Sequence, residues 1–465
     1  MTAPDVHAAV AVAAGRLAGS ASRLTGRGGG SSLPGVVASR VHPRLLQRLV
    51  GDAGVPVVAV TGSNGKTTTS RFLSALLRAD GRTVAHNRDG ANLEQGVVTL
   101  ALDAAGWDGR VPAGTTFVIE VDEGALRLVA PQTKPDVLVV TNLFRDQLDR
   151  FGEIYAISDV IALAARGLPA TSRIVVNADD PLTAELGADD LHPRITFGLE
   201  LDRSFGRITS AADSIRCPRC RGDLTYTEVY LSHLGRYRCD RCEFARPRLD
   251  VAVVDLTVEG LTATRLTVRT PQGTVEVSVP QPGLHIAYDV AGALAAAVAL
   301  DVPVASTAEA LSSIGAAFGR LELIAADGKD IVLAFAKNPT SFNTNLATLL
   351  AAGEPRHLLL ALSNTRVDGE DFGWLWDVDF ESLVPTVEHL TVSGLRADEV
   401  ATRLKYAGVP LEVTEVVPDR GRALDAALAH VPQGGRLIAL AGYTPTIELR
   451  DAMRQHGWVG HRWQM

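Results

Sequence analysis

A chain of 465 residues, 46% of them hydrophobic, 21% charged and 5% aromatic, has the length for two or three domains and the apolar content for a sizeable core in each. Its net charge of −8 argues against a dedicated nucleic-acid binder, which is ordinarily basic, and no run reaches the roughly 20 apolar residues of a membrane-spanning helix. All four cysteines fall within 26 residues in two CxxC pairs, the arithmetic of a metal site in a reducing compartment, so the expected location is cytoplasmic.

In chain order, residues 4–24 carry helical spacing (Val6, Val10, Leu17, Leu24) ahead of TGRGGGSSLPG, a loop by composition. The apolar run Ala8–Ala14 follows Asp5 and His7 instead of a basic region and does not read as a signal peptide. A short helical stretch, Pro43–Val50, leads into Val55–Ser70 (VPVVAVTGSNGKTTTS), which reads as a buried strand, a glycine-rich turn and a helix opening on Lys66. That is phosphate-binding chemistry. Gly62 and Gly65 leave room for backbone amides to close around phosphate oxygens, and the helix start adds its partial positive charge. Gly62, Ser63, Asn64, Gly65, Lys66, Thr67 and Thr68 are therefore the candidate nucleotide contacts, with Lys66 reaching the outer phosphates and the Thr67 hydroxyl reaching Mg²⁺. Val60 stands where the general GxxxxGK spacing asks for glycine, so the loop is of a shortened kind.

Strand and helix then alternate, as in a parallel sheet covered on both faces. TFVIEV (116–121), VLVVT (137–141) and RIVVN (173–177) are buried-strand runs, and each ends in polar residues: Asp122 and Glu123, TNLFRDQLDRFG, and NADDP. Carboxylates and amides at three successive strand ends beside a phosphate loop suit Mg²⁺ and nucleotide, because ligands bind at that edge and a hard cation prefers oxygen. Any one of them alone would more often be a cap or a turn.

Residues 201–250 break the pattern. CPRC (Cys217, Cys220) and CDRC (Cys239, Cys242), 18 residues apart around a β-like TYTEVYL run, have the layout of a structural zinc ribbon, with no coordination position left for catalysis. Strand-like runs over 251–280 return to the main domain, a long alanine-rich helix follows in PGLHIAYDVAGALAAAVAL, and a boundary is expected near Glu322–Gly328. The remainder restarts the alternation (IVLAF, HLLLAL, HLTVSG and RLIALAG as strands), the pattern of a Rossmann-like domain without a glycine fingerprint of its own. Between two of its strands, SNTRVDGEDFGWLWDVDFESL holds two tryptophans among carboxylates, which reads equally as a partner surface or as a buried plug.

TGSNGKTT, TNLFRDQLD, NADDP, TFG (196–198), PGLHIAYD and FGRLE (318–322) resemble, in order and spacing, the central ATPase domain of the Mur ligases, which join an amino acid or ammonia to a carboxylate through an acyl-phosphate. The ribbon, the lack of room for a substrate domain before the ATP loop, and the DFGWLWDVDFE, RLKYAG and GYTPTIELR segments resemble the MurT branch. Those are ligase subunits of lipid II isoglutaminyl synthase, which pair as heterodimers with a GatD glutamine amidotransferase. The resemblance implies an α/β fold: an N-terminal helical segment (1–50), a Mur-ligase-type central ATPase domain (51–325) with a parallel sheet, a P-loop and the inserted four-cysteine zinc ribbon (about 205–250), and a C-terminal Rossmann-like α/β domain (326–465). It implies ATP, Mg²⁺ and structural zinc as cofactors and a lipid II substrate at the inner membrane face, with no nucleic-acid partner.

Residue by residue, the resemblance places Lys66 and Thr67 on phosphates and metal, Glu120 as a magnesium ligand, and Asn142 nearby. Asn177, Asp180, His285 and Arg320 go around the nucleotide, and Asn338 of AKNP faces the ATP or the acyl-phosphate. Asp371 or Asp377 of the tryptophan loop would complete the partner's Cys–His pair. This sequence departs from the family at Gln147, where a metal-binding His is usual, and at Ile286 and Asp289, where Asn is usual; no lysine between Lys134 and Lys329 can supply the family's carbamoylated Lys. The alternatives are a stand-alone ligase of the folylpolyglutamate synthetase kind, using an amino acid nucleophile, and a non-catalytic nucleotide-binding scaffold.

Overall fold

The computed structural model describes residues 6–24, 32–87, 90–145, 154–205, 213–315, 319–354 and 356–460. A nine-stranded sheet contains β1 (Val57–Thr61), β2 (Thr83–His86), β3 (Thr115–Glu120), β4 (Val137–Val140), β5 (Arg173–Asn177), β6 (Arg194–Leu199), β9 (Val251–Glu259), β10 (Ala263–Thr270) and β11 (Gly273–Val279). Their spatial order is β11-β10-β9-β6-β5-β4-β1-β3-β2. The strands from β2 to β9 run parallel and the last two pair antiparallel. β1, β3 and β4 are buried at every position, as their continuous apolar runs require of strands covered on both faces.

One face packs on the helix Lys66–Ala79 and the alanine-rich helix Leu284–Ala299, whose small side chains allow close approach. The other face carries Glu94–Ala104, Leu126–Thr133, Ile154–Arg166 and the N-terminal helices Val6–Leu24 and Leu33–Val41. Those first residues share a core with the sheet: Ala8, Ala11, Val12 and Ala38 lie in one cluster with Val57 and Phe117. Leu33–Val41 falls partly on a stretch whose composition reads as loop. Pro34 sits in its first turn, where a missing N–H costs nothing, and Gly35 comes so close to Gln95 that a Cβ would lie 2.0 Å from the Gln95 carbonyl oxygen.

The ribbon is a hairpin, β7 (Leu224–Leu231) and β8 (Leu234–Cys239). The second sheet has β12 (Arg320–Ala326), β13 (Lys329–Phe335), β14 (His357–Ala361), β15 (His389–Ser393), β16 (Thr414–Val416) and β17 (Arg436–Ala441), in the order β12-β13-β17-β14-β15-β16. β12 pairs antiparallel with β13, so this sheet begins at Arg320, ahead of the boundary expected near Glu322–Gly328. The reversal at Asp327–Gly328 is a tight turn inside the domain, with both residues at positive φ, which explains why a local punctuation signal falls there.

Candidate active site

The phosphate loop leaves β1 at Thr61 and enters the helix at Lys66. Gly62 has φ +123° and Gly65 φ +82°. A Cβ on Gly62 would lie 2.3 Å from Thr141 Oγ1, and one on Gly65 2.1 Å from Asp289 Oδ1, so both positions require glycine for conformation and for space. The segment after β4 clamps the loop. Asn142 Oδ1 accepts from the Asn64 N–H at 2.9 Å, its Nδ2 donates to the Asn64 carbonyl at 3.1 Å, and Thr141 Oγ1 donates to the same carbonyl at 2.7 Å. The Ser63 hydroxyl exchanges hydrogen bonds with the Phe144 backbone at 2.9 and 3.0 Å.

Lys66 is 6% exposed. Its ammonium donates to the Gly62 and Ser63 carbonyls and lies 3.3 Å from Glu123 Oε2. A buried cation facing the concave side of a loop shaped by two obligatory glycines is a cradle that fits phosphate oxygens. Glu120 ends β3 opposite Val60, its backbone held on both sides by the Asn87 side chain. Glu120 and Thr67 are both buried beside the loop, and oxygen donors of this kind suit Mg²⁺.

The other expected contacts divide by where they point. Asn177 and Asp180 are fully buried and occupied: Asn177 Nδ2 donates to the Thr141 carbonyl at 2.9 Å, and Asp180 Oδ2 accepts from the Leu143 N–H at 2.7 Å while Oδ1 caps the helix Pro181–Glu185 through the Leu182 N–H. Their role is to hold the segment 141–144 that clamps the loop. Arg320 reaches across from the second sheet, Nη1 to Thr68 Oγ1 at 3.3 Å. Burial and the Arg320 charge push His285 down to about 4, leaving a neutral imidazole with an unpartnered Nδ1. Asn338 caps the helix Pro339–Ala351 with a capping box, and its Nδ2 lies 3.2 Å from Asn64 Oδ1, so the second domain touches the phosphate loop directly. The run 146–149, with Gln147, lies outside the described residues.

Asp289 is 4% exposed; its Oδ1 is 3.4 Å from the Thr69 hydroxyl and its Oδ2 has no partner. Burial raises its carboxyl to about 8, against the opposing pull of Arg320. The folded state therefore holds a proton that the unfolded chain, with a carboxyl near 3.9, releases; the resulting stability is complete in acid and is lost as pH rises through about 8. Asp289→Asn is expected to melt higher than wild type above pH 8 and to lose the alkaline decline seen in wild type. Parallel melting profiles for the two proteins across pH 6–9 would contradict this.

Beside Asn338 a cavity of about 250 Å³ is lined by Arg145, Lys337, Asp368, Asp371, Trp374 and Asp377. Arg145 sits between Asp213 of the ribbon segment and Asp377 Oδ2, 3.1 Å away. No reading of the sequence singled out Arg145, although it adjoins TNLF. Asp371 is exposed, and only its Oδ1 is engaged, by the Gly373 N–H at 2.8 Å. The two tryptophans take both of the readings open to them: Trp374 packs between Phe342 and Phe372, and Trp376 is 56% exposed against Tyr406 and Arg403.

The four cysteine sulfurs lie within 4.8 Å of one another, with Cys217–Cys242 at 3.6 Å and Cys220–Cys239 at 3.4 Å. Zn–S bonds of ~2.3 Å set tetrahedral edges of about 3.8 Å, so the four thiols fit one zinc ion. The Arg241 N–H donates to Cys239 Sγ and draws that thiol down to about 7, toward the thiolate a metal needs. From the ribbon, the Tyr237 hydroxyl donates to the Ala178 carbonyl at 3.0 Å, the Gly235 N–H to the Asp179 carbonyl at 3.0 Å, and Arg246 pairs with buried Asp179 at 2.6 Å. The ribbon thus braces the NADDP turn, and through Asn177 and Asp180 the phosphate loop. Cys242→Ser is expected to make residues 213–246 protease-sensitive and to weaken ATP binding severalfold; unchanged nucleotide affinity in a protease-sensitive variant would separate the ribbon from the loop.

Residues 60–217 match the Mur ligase middle domain and residues 335–445 match the MurT ligase C-terminal domain. The chain is 31% identical over 446 residues, 94% of its length and 96% of the relative's, to the lipid II isoglutaminyl synthase (glutamine-hydrolyzing) subunit MurT of Streptococcus pneumoniae. The chain belongs to the MurT family. The Staphylococcus aureus MurT subunit is 28% identical over 86% of this chain and 87% of its own. The fold matches a pseudomurein peptide ligase type C from Methanothermus fervidus with a TM-score of 0.66 at 22% identity, covering 87% of this chain and 79% of that one. Membership in the MurT family makes this a ligase and places it among the amide ligases of peptidoglycan synthesis. Among the described residues, no helix is long and apolar enough to cross a membrane.

Proposed function

We propose that this MurT-family chain activates the α-carboxylate of D-glutamate in the lipid II stem peptide and converts it to the amide of D-isoglutamine, using ammonia made by a GatD-like glutaminase bound to it at the cytoplasmic face of the membrane. One carboxylate oxygen attacks the γ-phosphorus of ATP, ADP leaves, and the resulting acyl-phosphate carries a leaving group that the free carboxylate lacks. Ammonia then attacks the acyl carbon, phosphate departs, and a proton is released. Lys66 and the amides of Gly62–Thr67 would hold the β- and γ-phosphates, supplying positive charge where the transferring group gathers negative charge. Magnesium held near Thr67 and Glu120 would neutralise phosphate charge. Asn338 and Arg320, reaching from the second domain to Asn64 and Thr68, would register the acceptor against the ATP. The adjoining cavity, with Arg145 and Lys337 among its lining, suits an anionic acceptor.

The observation that carries the division of labour is the fate of the cysteines. An ordinary glutaminase needs a cysteine nucleophile, and all four cysteines of this chain converge on one metal-type cluster. Asp371 supports a shared centre: it is exposed at the cavity mouth with Oδ2 outside the Gly373 hydrogen bond, able to orient a partner histidine. The test is to mix the chain with ATP, Mg²⁺ and lipid II and to supply ammonium or glutamine. Amidation is expected with ammonium alone, and with glutamine only when the glutaminase is added. Glutamine-driven amidation by this chain by itself would sink the proposal.

A further inference from the structure

The amino-terminal edge of the second sheet, opposite the edge that meets the phosphate loop, gathers imidazoles and a carboxylate from three elements. His389 opens β15, Glu415 is the middle residue of the edge strand β16, and His430 ends the helix Arg420–His430. The parallel register sets Glu415 opposite Thr391. Because alternate strand residues share a face, His389, Thr391 and Glu415 project to one side of the sheet. Ala423, Leu424, Ala427 and Leu428 of the helix pack on the sheet through a shared cluster, which brings His430 over His389.

The two imidazole rings stack with centroids 3.5 Å apart and planes 16° from parallel. Nε2 of His389 is 3.8 Å and Nε2 of His430 is 4.0 Å from the same oxygen, Oε2 of Glu415. A potential ligand atom of each residue lies within 4.8 Å of the other two. Two imidazoles in face-to-face contact disfavour double protonation, because like charges would meet at the separation of the rings. Neutral rings keep the lone pairs a metal needs. Bonds of about 2.0–2.1 Å from Zn²⁺ to nitrogen and oxygen put tetrahedral neighbours about 3.3–3.4 Å apart, so these ligands need to close by only about half an ångström. His430 and Glu415 are half-exposed and have the freedom to do so. Thr391 Oγ1, 3.3 Å from His389 Nε2, is the partner that nitrogen has without a metal.

We propose that His389, Glu415 and His430 form a second site for a divalent transition-metal ion of the zinc type, with water completing its coordination. It would be separate from the cysteine cluster and from the magnesium expected at the phosphate loop. Two imidazoles and one carboxylate select zinc-like cations over Mg²⁺, which prefers oxygen ligands throughout. The ion would tie a three-residue edge strand and the end of a helix to β15, fastening the sheet edge least supported by backbone pairing.

The test uses the full chain with one zinc already in its cysteine cluster. After equilibration with a severalfold excess of Zn²⁺ and desalting, elemental analysis is expected to give a second equivalent of zinc in wild type and to lose it in His430→Ala and in Glu415→Gln. With Co²⁺ as the probe, the second equivalent is expected to show visible d–d bands without thiolate charge-transfer absorption, which distinguishes it from the cysteine cluster. Added zinc should raise the melting temperature of wild type and leave that of both variants unchanged, with ammonium-driven amidation unaltered in all three. A single equivalent in wild type, or a second equivalent retained by both variants, would overturn the proposal. Should His430→Ala fail to fold, Glu415→Gln decides alone.

Discussion

Replacing Lys66 with alanine is expected to lower amidation by at least roughly 10²–10³-fold with ammonium and with glutamine alike, the scale set by removing one preorganised donor from a developing oxyanion. Both nitrogen sources suffer because the loss precedes the step at which they enter. The substitution also leaves Glu123 as a buried carboxylate without its cation, so part of any loss could arise from folding. Lys66→Ala combined with Glu123→Gln removes both charges together. Circular dichroism and melting of that double variant separate the chemical effect from the structural one. Equal retention of ammonium-driven turnover in a folded Lys66 variant would remove the lysine from the phosphate site.

Asp371→Asn is expected to do the opposite: to spare ammonium-driven amidation and to lower glutamine-driven amidation by roughly 10²–10⁴-fold, as when the carboxylate that orients a catalytic histidine is neutralised. The two candidate aspartates differ in their commitments. Asp377 is paired with Arg145, which Asp213 holds from the other side, so Asp377→Asn should loosen the cavity wall and reduce both activities. Asp371 makes one local hydrogen bond and faces outward. Measuring both activities in both variants assigns the role. A selective loss of glutamine-driven turnover in Asp377→Asn, with Asp371→Asn unaffected, would reverse the assignment.

The parts of this molecule written locally were legible in the sequence. The buried strands announce themselves as apolar runs, and RIVVN at 173–177 matches β5 residue for residue. The phosphate loop follows from the spacing of Gly62, Gly65 and Lys66, and the cysteine cluster from two CxxC pairs. What the sequence hid depends on long-range closure. Asn177 and Asp180 fall beside the loop as the motif implies, yet they act inward, on the Thr141 carbonyl and the Leu143 N–H, and only the folded sheet shows which way they face. Arg320 looked like the end of the first domain and is the start of the second sheet, because β12 finds its partner in β13. Gly65 reads as a conformational glycine, whereas its second reason, the carboxyl of Asp289 pressed against it, comes from a helix more than two hundred residues away. Arg145 carries no motif; its place between Asp213 and Asp377 exists only once three separate segments have met.

The central claim is that this chain turns a carboxylate into an acyl-phosphate, and oxygen transfer reads that step directly. Lipid II labelled with ¹⁸O in the α-carboxylate of its D-glutamate, incubated with the chain, ATP, Mg²⁺ and ammonium, is expected to deliver one ¹⁸O to the inorganic phosphate for each amide formed, and none when Lys66 is replaced. Amide formation with unlabelled phosphate would contradict the account.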